Sequence, residues 1–246
     1  MSSLPRLSLV IPAFNEVGTI QRTLRAIREY LTPRGFVFEL IVSADGNDGT
    51  REAAAALADE LPVTVMGKPE RRGKGRGVRE GMLTATGDIV GFLDADYKVA
   101  IDEIEKILPW FDQGYDIVIG SRGVAGADIR VPQPWYRRIG SKAFGMIMRP
   151  LIGLRGISDT QCGFKFFRAP VARDLFVRQR IDGYMFDVEI LSLALRLNYQ
   201  VKEVGVRWQD DGDTRLRLVS GNWKNFKDLL RIRFGGRLAR VTATRM

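Results

Sequence analysis

Apolar and polar positions along this chain fall into alternating blocks of two periods. Leu7–Ala13 is an apolar run broken only by Ser8 and Pro12, the length and texture of a buried strand. Glu16–Leu31 follows, with apolar residues returning every three or four positions, as on one face of a helix. The alternation continues with Val37–Ser43 as a strand, Thr50–Glu60 as a helix, Pro62–Met66 as a short strand and Gly77–Ala85 as a helix. Ile89–Asp94 is then a strand, Asp102–Asp112 a helix and Asp116–Gly120 a strand. Such alternation predicts an α/β fold, Rossmann-like, with a mostly parallel sheet flanked by helices. After Gly120 the pattern loosens. Tyr136–Arg149 reads as a helix stopped by Pro150, Gln161–Phe167 as a strand, Tyr184–Leu197 as a helix and Val201–Trp208 as a strand. The boundary near Gly120 separates two halves of one domain, and no repeat appears.

Composition narrows the chemistry. A chain of 246 residues with 45% hydrophobic and 27% charged residues has ample length for a core. There is no histidine, which removes a histidine base, a histidine metal ligand and a Ser-His-Asp triad. The single cysteine, Cys162, excludes an intrachain disulfide and fits a reducing compartment. No apolar run approaches 18 residues, so no transmembrane helix is expected, and Met1–Arg6 does not read as a secretory signal.

The net charge of +9 is unevenly placed. Arg215–Met246 holds nine Lys/Arg and one acid, and Ser121–Gly153 holds six and one, so the remainder is net acidic. A basic chain suggests nucleic acid. Here the cations instead edge two amphipathic stretches and no nucleic-acid motif is present, so no nucleic-acid partner is expected. In the first stretch, Trp223, Phe226, Leu229, Leu230 and Phe234 recur near helical spacing, with Lys224, Lys227, Arg231 and Arg233 between them. In the second, Ile139, Phe144, Met146, Ile147 and Leu151 are edged by Arg137, Arg138, Lys142 and Arg149. Both stripes suit packing on the domain, and equally suit lying in an anionic membrane interface.

Four loops following predicted strands carry the candidate chemistry. Gly91-Phe92-Leu93-Asp94-Ala95-Asp96 ends a buried strand in two carboxylates spaced i, i+2, which share a face in an extended segment. At the carboxyl edge of an α/β sheet such a pair can hold a divalent cation against a diphosphate, although alone it is also an acidic turn. Pro12-Ala13-Phe14-Asn15-Glu16 places Phe14 and Glu16 at the first strand–helix turn, with Asn15 as a helix cap. Asp45, in the turn Ser43–Thr50, stands at the same edge, placed to meet a ribose or base. In Arg71-Arg72-Gly73-Lys74-Gly75-Arg76-Gly77, glycines permit close approach and cations favour phosphate, without Walker A spacing.

Read in order, these motifs with Gly120-Ser121-Arg122 resemble the family 2 glycosyltransferases. Asp159-Thr160-Gln161-Cys162-Gly163-Phe164-Lys165, Phe186-Asp187-Val188-Glu189 and Gly212-Asp213-Thr214-Arg215-Leu216 narrow the resemblance to the polyprenyl-phosphate branch, most like the dolichyl-phosphate β-glucosyltransferases, over roughly residues 7–234. The resemblance implies a GT-A fold with a C-terminal amphipathic helix. Residues 1–214 would form the transferase domain, with 1–120 as the nucleotide-sugar half and 121–214 as the acceptor half, and 215–246 a basic tail. It implies Mg²⁺ or Mn²⁺, a nucleotide-sugar donor (UDP-glucose first), a polyprenyl-phosphate acceptor and inverting transfer. Pro12, Phe14, Glu16, Asp45 and Lys74 would bind the donor. Asp94 and Asp96 would face the metal and diphosphate, with Asp96 the more direct ligand. Arg122, catalytic by this resemblance, would lie with Arg137, Ser141 and Arg215 near the acceptor phosphate.

Three departures stand out. Ala44 occupies the first position of a usual Asp-Asp pair in a loop one residue shorter. Asp96-Tyr97-Lys98 replaces the Asp-Leu-Gln of mannosyl enzymes, and a protonated Lys98 cannot ligate metal. The sequence also shows none of the N-terminal anchor of eukaryotic glucosyl members, so a peripheral protein on the inner face of the cell membrane is expected. GDP-mannose as donor and a saccharide as acceptor are the alternatives within the family. Asp187 and Glu189 are general-base candidates by position, with structural pairing as the competing role.

Overall fold

The computed structural model describes residues 4–129, 153–154, 156–209 and 222–235. The helix expected over Tyr136–Arg149, with Arg137 and Ser141, and the segment containing Arg215 lie outside them.

The centre is a seven-stranded sheet. β1 (Leu7–Phe14), β2 (Phe38–Asp45), β3 (Val63–Met66), β4 (Ile89–Leu93) and β5 (Ile117–Ser121) come from the first half; β7 (Phe164–Arg168) and β8 (Val201–Gly205) come from the second. The order is β3-β2-β1-β4-β7-β5-β8. β1 runs parallel to β2 and β4, β2 to β3 and β5 to β8, while β7 runs antiparallel to both β4 and β5. A two-stranded sheet joins β6 (Asp128–Ile129) to β9 (Arg207–Trp208).

The strand runs are apolar on both faces because each face carries its own core. Leu7, Leu9 and Ile11 of β1 point to one side, under α1 (Ile20–Leu31). Val10 points to the other, under α3 (Lys74–Thr84), α6 (Ala169–Arg178) and α7 (Phe186–Arg196). The smaller helices α2 (Thr50–Ala55), α4 (Ile104–Ile107) and α5 (Pro109–Asp112) complete the first layer. On α1 the buried residues Ile20, Thr23, Leu24, Ile27 and Leu31 keep the three-and-four spacing seen in the sequence. Gly77 and Gly81 let α3 lie close on the sheet: a methyl at Gly81 would stand 2.5 Å from Val10.

Several boundaries move for physical reasons. α1 begins at Ile20 rather than Glu16, because Asn15 has φ 56 and cannot cap it; Thr19 stands at the cap. α2 ends at Ala55, ahead of the expected Glu60, and passes into turns. α3 begins at Lys74, three residues before Gly77. The helix expected over Asp102–Asp112 is a short 3₁₀ turn, Ile101–Glu103, followed by α4 and α5. α6 is an addition; its signal was Pro170 in the first turn ahead of apolar Val171, Leu175 and Phe176.

The last described helix, α8 (Asn222–Gly235), is amphipathic as expected, but its Leu229 and Ile232 are buried in the second core. Arg196 donates to the Ile232 carbonyl at 2.9 Å. Lys227, Arg231 and Arg233 are exposed. Leu229 therefore belongs to the domain and not to a membrane face. The side chains of Trp223, Lys224, Phe226 and Phe234 lie outside those described.

Candidate active site

Because β1, β2, β4 and β5 run the same way, their carboxyl ends share one edge, and β7 enters the sheet at that edge. Phe14, Asp45, Asp94, Arg122 and Gly163 are brought there, and α3 starts above them at Lys74.

Asp94 follows β4 directly. Its backbone N–H donates to the Gly163 carbonyl at 3.1 Å, and a side chain at Gly163 would collide with the Asp94 carboxylate. Glycine at 163 is thus a requirement of the carboxylate beside it. Tyr97, at φ 58, turns the chain so that Lys98 folds back on Asp96. Such a conformation costs on the order of 1 kcal/mol in a non-glycine residue. Lys98 Nζ lies 3.2 Å from Asp96 Oδ2, and Lys74 Nζ lies 2.5 Å from Asp94 Oδ1. Burial, then the neighbouring Asp94 charge, push the Asp96 carboxyl upward, and Lys98 only partly offsets them. Burial opposes the Lys74 ammonium, yet Asp94, Asp187 and Asp96 outweigh it and hold its pKa above the ordinary lysine value.

These two carboxylates fit a divalent cation. Burial and the neighbouring Asp94 charge disfavour ionisation of Asp96, and buried Asp94 Oδ1 accepts no well-aligned hydrogen bond despite the nearby ammonium. Among the described residues no group of three or more acidic, cysteine or histidine side chains is arranged to hold a metal ion. A cation here would complete its shell with diphosphate oxygens and water, as Mg²⁺ commonly does.

The basic glycine loop works differently from its sequence reading. A side chain at Gly75 would stand 2.6 Å from the Ile181 carbonyl and from Phe186 Cβ, and one at Gly73, where φ is 118, would strike the Asp182 carbonyl. What approaches these glycines is the 181–183 backbone and the start of α7, and that contact carries Lys74 to Asp94.

Arg122 also needs correction. Its Nε and Nη2 donate to Asp159 at 2.7 and 2.9 Å, its backbone N–H donates to Asp159 at 3.0 Å, and its guanidinium lies 5.4 Å from the Trp208 ring centre. Burial would raise the Asp159 carboxyl, but the Arg122 hydrogen bonds and charge bring it down to about 2. Glu203 of β8 accepts the Ser158 and Asp159 N–H groups at 2.7 and 2.8 Å, gripping the same loop. Arg122 thus spends its charge holding the loop that carries Gly163, rather than presenting a free cation to phosphate.

The donor-side residues divide. Pro12 is buried within β1. Phe14 lies at the edge with the Arg71 guanidinium 4.3 Å above its ring, and Arg71 also donates to the Tyr184 hydroxyl at 2.8 Å. Glu16 accepts from the Thr19 hydroxyl at 2.8 Å. Asp45 accepts the N–H groups of Lys68 at 3.3 Å and Arg72 at 2.7 Å, so it orders the loop leading to Lys74.

The general-base candidates are engaged elsewhere. Asp187 is buried and accepts from Lys165 Nζ at 2.7 Å; Lys165 also donates to the Cys162 carbonyl at 2.5 Å. Burial raises the Asp187 carboxyl, and Lys165 and Lys74 only partly offset it. Glu189 accepts backbone N–H groups of Arg180 and Ile181, the latter at 2.8 Å. Lys165, Asp159 and Glu203 received no role from the sequence. Lys165 sits within an otherwise apolar run, and that misplaced charge was the available signal for a buried ion pair.

Comparison with known proteins agrees with this geometry. The model of glycosyl transferase family 2 matches residues 8–176. A dolichyl-phosphate beta-glucosyltransferase of Trichomonas vaginalis is 33% identical over 92% of this chain and 72% of its own length. The enzymes of that name from Dictyostelium discoideum and Homo sapiens are 31% and 29% identical, over 93% and 94% of this chain and 74% and 76% of theirs. Among solved structures, Mycobacterium tuberculosis glucosyl-3-phosphoglycerate synthase in complex with phosphoglyceric acid superposes with a TM-score of 0.70 at 21% identity, over 94% of this chain and 80% of that one. The same synthase with Mn²⁺, UDP-glucose and phosphoglyceric acid gives 0.66 at 20% identity, over 93% and 78%. These structures share the GT-A fold.

Proposed function

The chain belongs to glycosyl transferase family 2 and is a glycosyltransferase, and from that premise we propose that it transfers glucose from UDP-glucose, with inversion, to a polyprenyl or dolichyl phosphate. The observation that carries the reading is the Asp94–Asp96 pair at the end of β4, faced by Lys74 from the start of α3. Relatives named dolichyl-phosphate beta-glucosyltransferase, matched over more than nine-tenths of this chain, support the acceptor and the sugar. The Mn²⁺ and UDP-glucose held by a fold relative are consistent with the donor and cofactor.

The acceptor accounts for the missing base. A phosphate monoester has its second pKa near ~6, so at neutral pH it is already an anionic nucleophile. Its oxygen forms a bond to the anomeric carbon, and the bond to the nucleoside diphosphate breaks with its electron pair, inverting that carbon. No proton need be removed, which agrees with Asp187 and Glu189 being tied to Lys165 and to backbone N–H groups. Bound at Asp94 and Asp96, Mg²⁺ or Mn²⁺ would supply positive charge to the leaving diphosphate. Lys74, at the positive end of α3, adds a fixed charge beside it. Phe14 and Glu16 border the nucleoside. Asp45 and the Arg122–Asp159 pair act by ordering loops, and Arg137, Ser141 and Arg215 are assigned to the acceptor phosphate. Holding two anions in line can lower a barrier by about 7–11 kcal/mol.

Among the described residues no helix is long and apolar enough to cross a membrane. We assign the protein to the inner membrane surface, drawn there by its basic segments, and sedimentation with acidic liposomes at low salt tests that assignment. The reaction is tested by phase partition, with Mn²⁺ or Mg²⁺, a short polyprenyl phosphate and labelled UDP-glucose or GDP-mannose. Label entering the organic phase from UDP-glucose alone, and lost in Asp96→Ala, is the expected result. Transfer from GDP-mannose overturns the donor; transfer from neither, with nucleotide still bound, overturns the lipid acceptor.

A further inference from the structure

The two carboxylates read as cation ligands each carry a lysine of their own. Lys74 Nζ is 2.5 Å from Asp94 Oδ1, and Lys98 Nζ is 3.2 Å from Asp96 Oδ2. The lysines come from different elements, Lys74 from the first turn of α3 and Lys98 from the turn after β4. The two lysine side chains are 21% and 19% exposed. Lys74 also lies in the field of Asp187, whose carboxylate is already paired with Lys165. Each lysine is thus a tethered cation on an oxygen that a divalent ion would need.

We propose that Lys74 and Lys98 couple the cation to the nucleotide diphosphate, so that the site takes the two together and discriminates against the metal alone. This inference rests on the reading of Asp94 and Asp96 as metal ligands. A divalent ion arriving without an anion must separate two ion pairs and leave two ammonium groups beside its own charge. When a diphosphate arrives with the ion, it brings negative charge to which both ammonium groups can turn. The lysines then oppose metal in the absence of nucleotide and favour nucleotide in the absence of metal. They act as positioning residues for the reaction.

This predicts opposite signs for one substitution against two ligands, which loss of packing would not produce. Binding of Mn²⁺ alone would be followed by the electron paramagnetic resonance of the free ion, and binding of UDP in metal-free buffer by calorimetry. The proteins compared are the wild type, Lys74→Met, Lys98→Met and Asp96→Asn. In each lysine variant Mn²⁺ alone binds roughly tenfold tighter and UDP alone roughly tenfold weaker, within the usual span of coupling between sites. Lys74→Gln and Lys98→Gln, which keep a polar end without the charge, repeat both shifts and separate charge from folding. Unchanged Mn²⁺ affinity in both lysine variants overturns the inference and leaves the metal site standing, provided that Asp96→Asn abolishes Mn²⁺ binding. Mn²⁺ binding that survives in Asp96→Asn overturns the metal-site reading and the inference with it.

Discussion

Replacing Lys165 by methionine removes one half of a buried ion pair while nearly preserving side-chain length. Lys165 and Asp187 have side chains only 1% and 3% exposed, and 2.7 Å separates Nζ from Oδ1. Methionine would leave the Asp187 carboxylate buried without that cation and the Cys162 carbonyl without its donor. Stranding one partner of such a pair costs about 3–5 kcal/mol. With a urea slope of about 3 kcal/mol/M, toward the upper end for single domains, the unfolding midpoint falls by about 1–1.7 M. The pH dependence gives a second reading. The folded carboxyl already lies above its ordinary value, and loss of Lys165 raises it further. The folded state then holds a proton that the unfolded state has released, so stability falls as pH rises above the unfolded value near ~3.9. The deficit shrinks on acidification, as the unfolded carboxyl takes up the same proton. Lys165→Met/Asp187→Leu, with neither charge left, recovers most of the loss. A shift below ~0.3 M in Lys165→Met, or a deficit independent of pH, would refute the claim that this pair is desolvated and coupled.

Three other outcomes follow from the same site. Gly163→Ala should keep the circular dichroism of the wild type yet lower kcat about a hundredfold, because the new methyl displaces the Asp94 carboxylate; wild-type turnover would remove Gly163 from the argument. The Arg122–Asp159 pair, with the carboxyl held at about 2 against an unfolded value near 3.8, contributes on the order of 2 kcal/mol above the higher value, lost as pH falls through the lower. Urea midpoints between pH 5 and 2 should therefore drop more steeply in the wild type than in Asp159→Asn, and parallel curves would contradict this. Burial, then the Asp159 charge, push the Cys162 thiol up to about 12, so native protein at pH 8 should resist a thiol reagent that labels it at once in urea. Equal labelling rates in the two states would show the thiol to be accessible.

The sheet was legible because each strand is a short apolar run and each long helix a periodic one, as β1 and α1 illustrate. The position of Asp94 and Asp96 at the carboxyl edge of the sheet was legible because both directly follow a short apolar strand. Partners were harder. Asp159, Glu203 and Lys165 acquire meaning only from contacts 37, 44 and 22 residues away in the chain, and no local pattern encodes such distances. Arg122 shows the same limit from the other side. A cation beside a predicted phosphate site invites a phosphate role, but Asp159 had the prior claim on it. The glycines of the Arg71–Gly77 loop signalled a close approach correctly, and only the fold identified residues 181–183 as what approaches.

The placing of β7 between β4 and β5 bears on how the chain is made. Neither β4 nor β5 pairs with the other; each bonds to β7, whose residues are synthesised more than forty positions after β5 ends. During translation the first 121 residues can assemble β1 to β4, while β5 waits without a neighbour until Phe164–Arg168 has left the ribosome. Such a late, long-range closure slows folding and lengthens the time for which a strand edge is open to other chains. A fragment stopped after residue 121 would carry that open edge permanently.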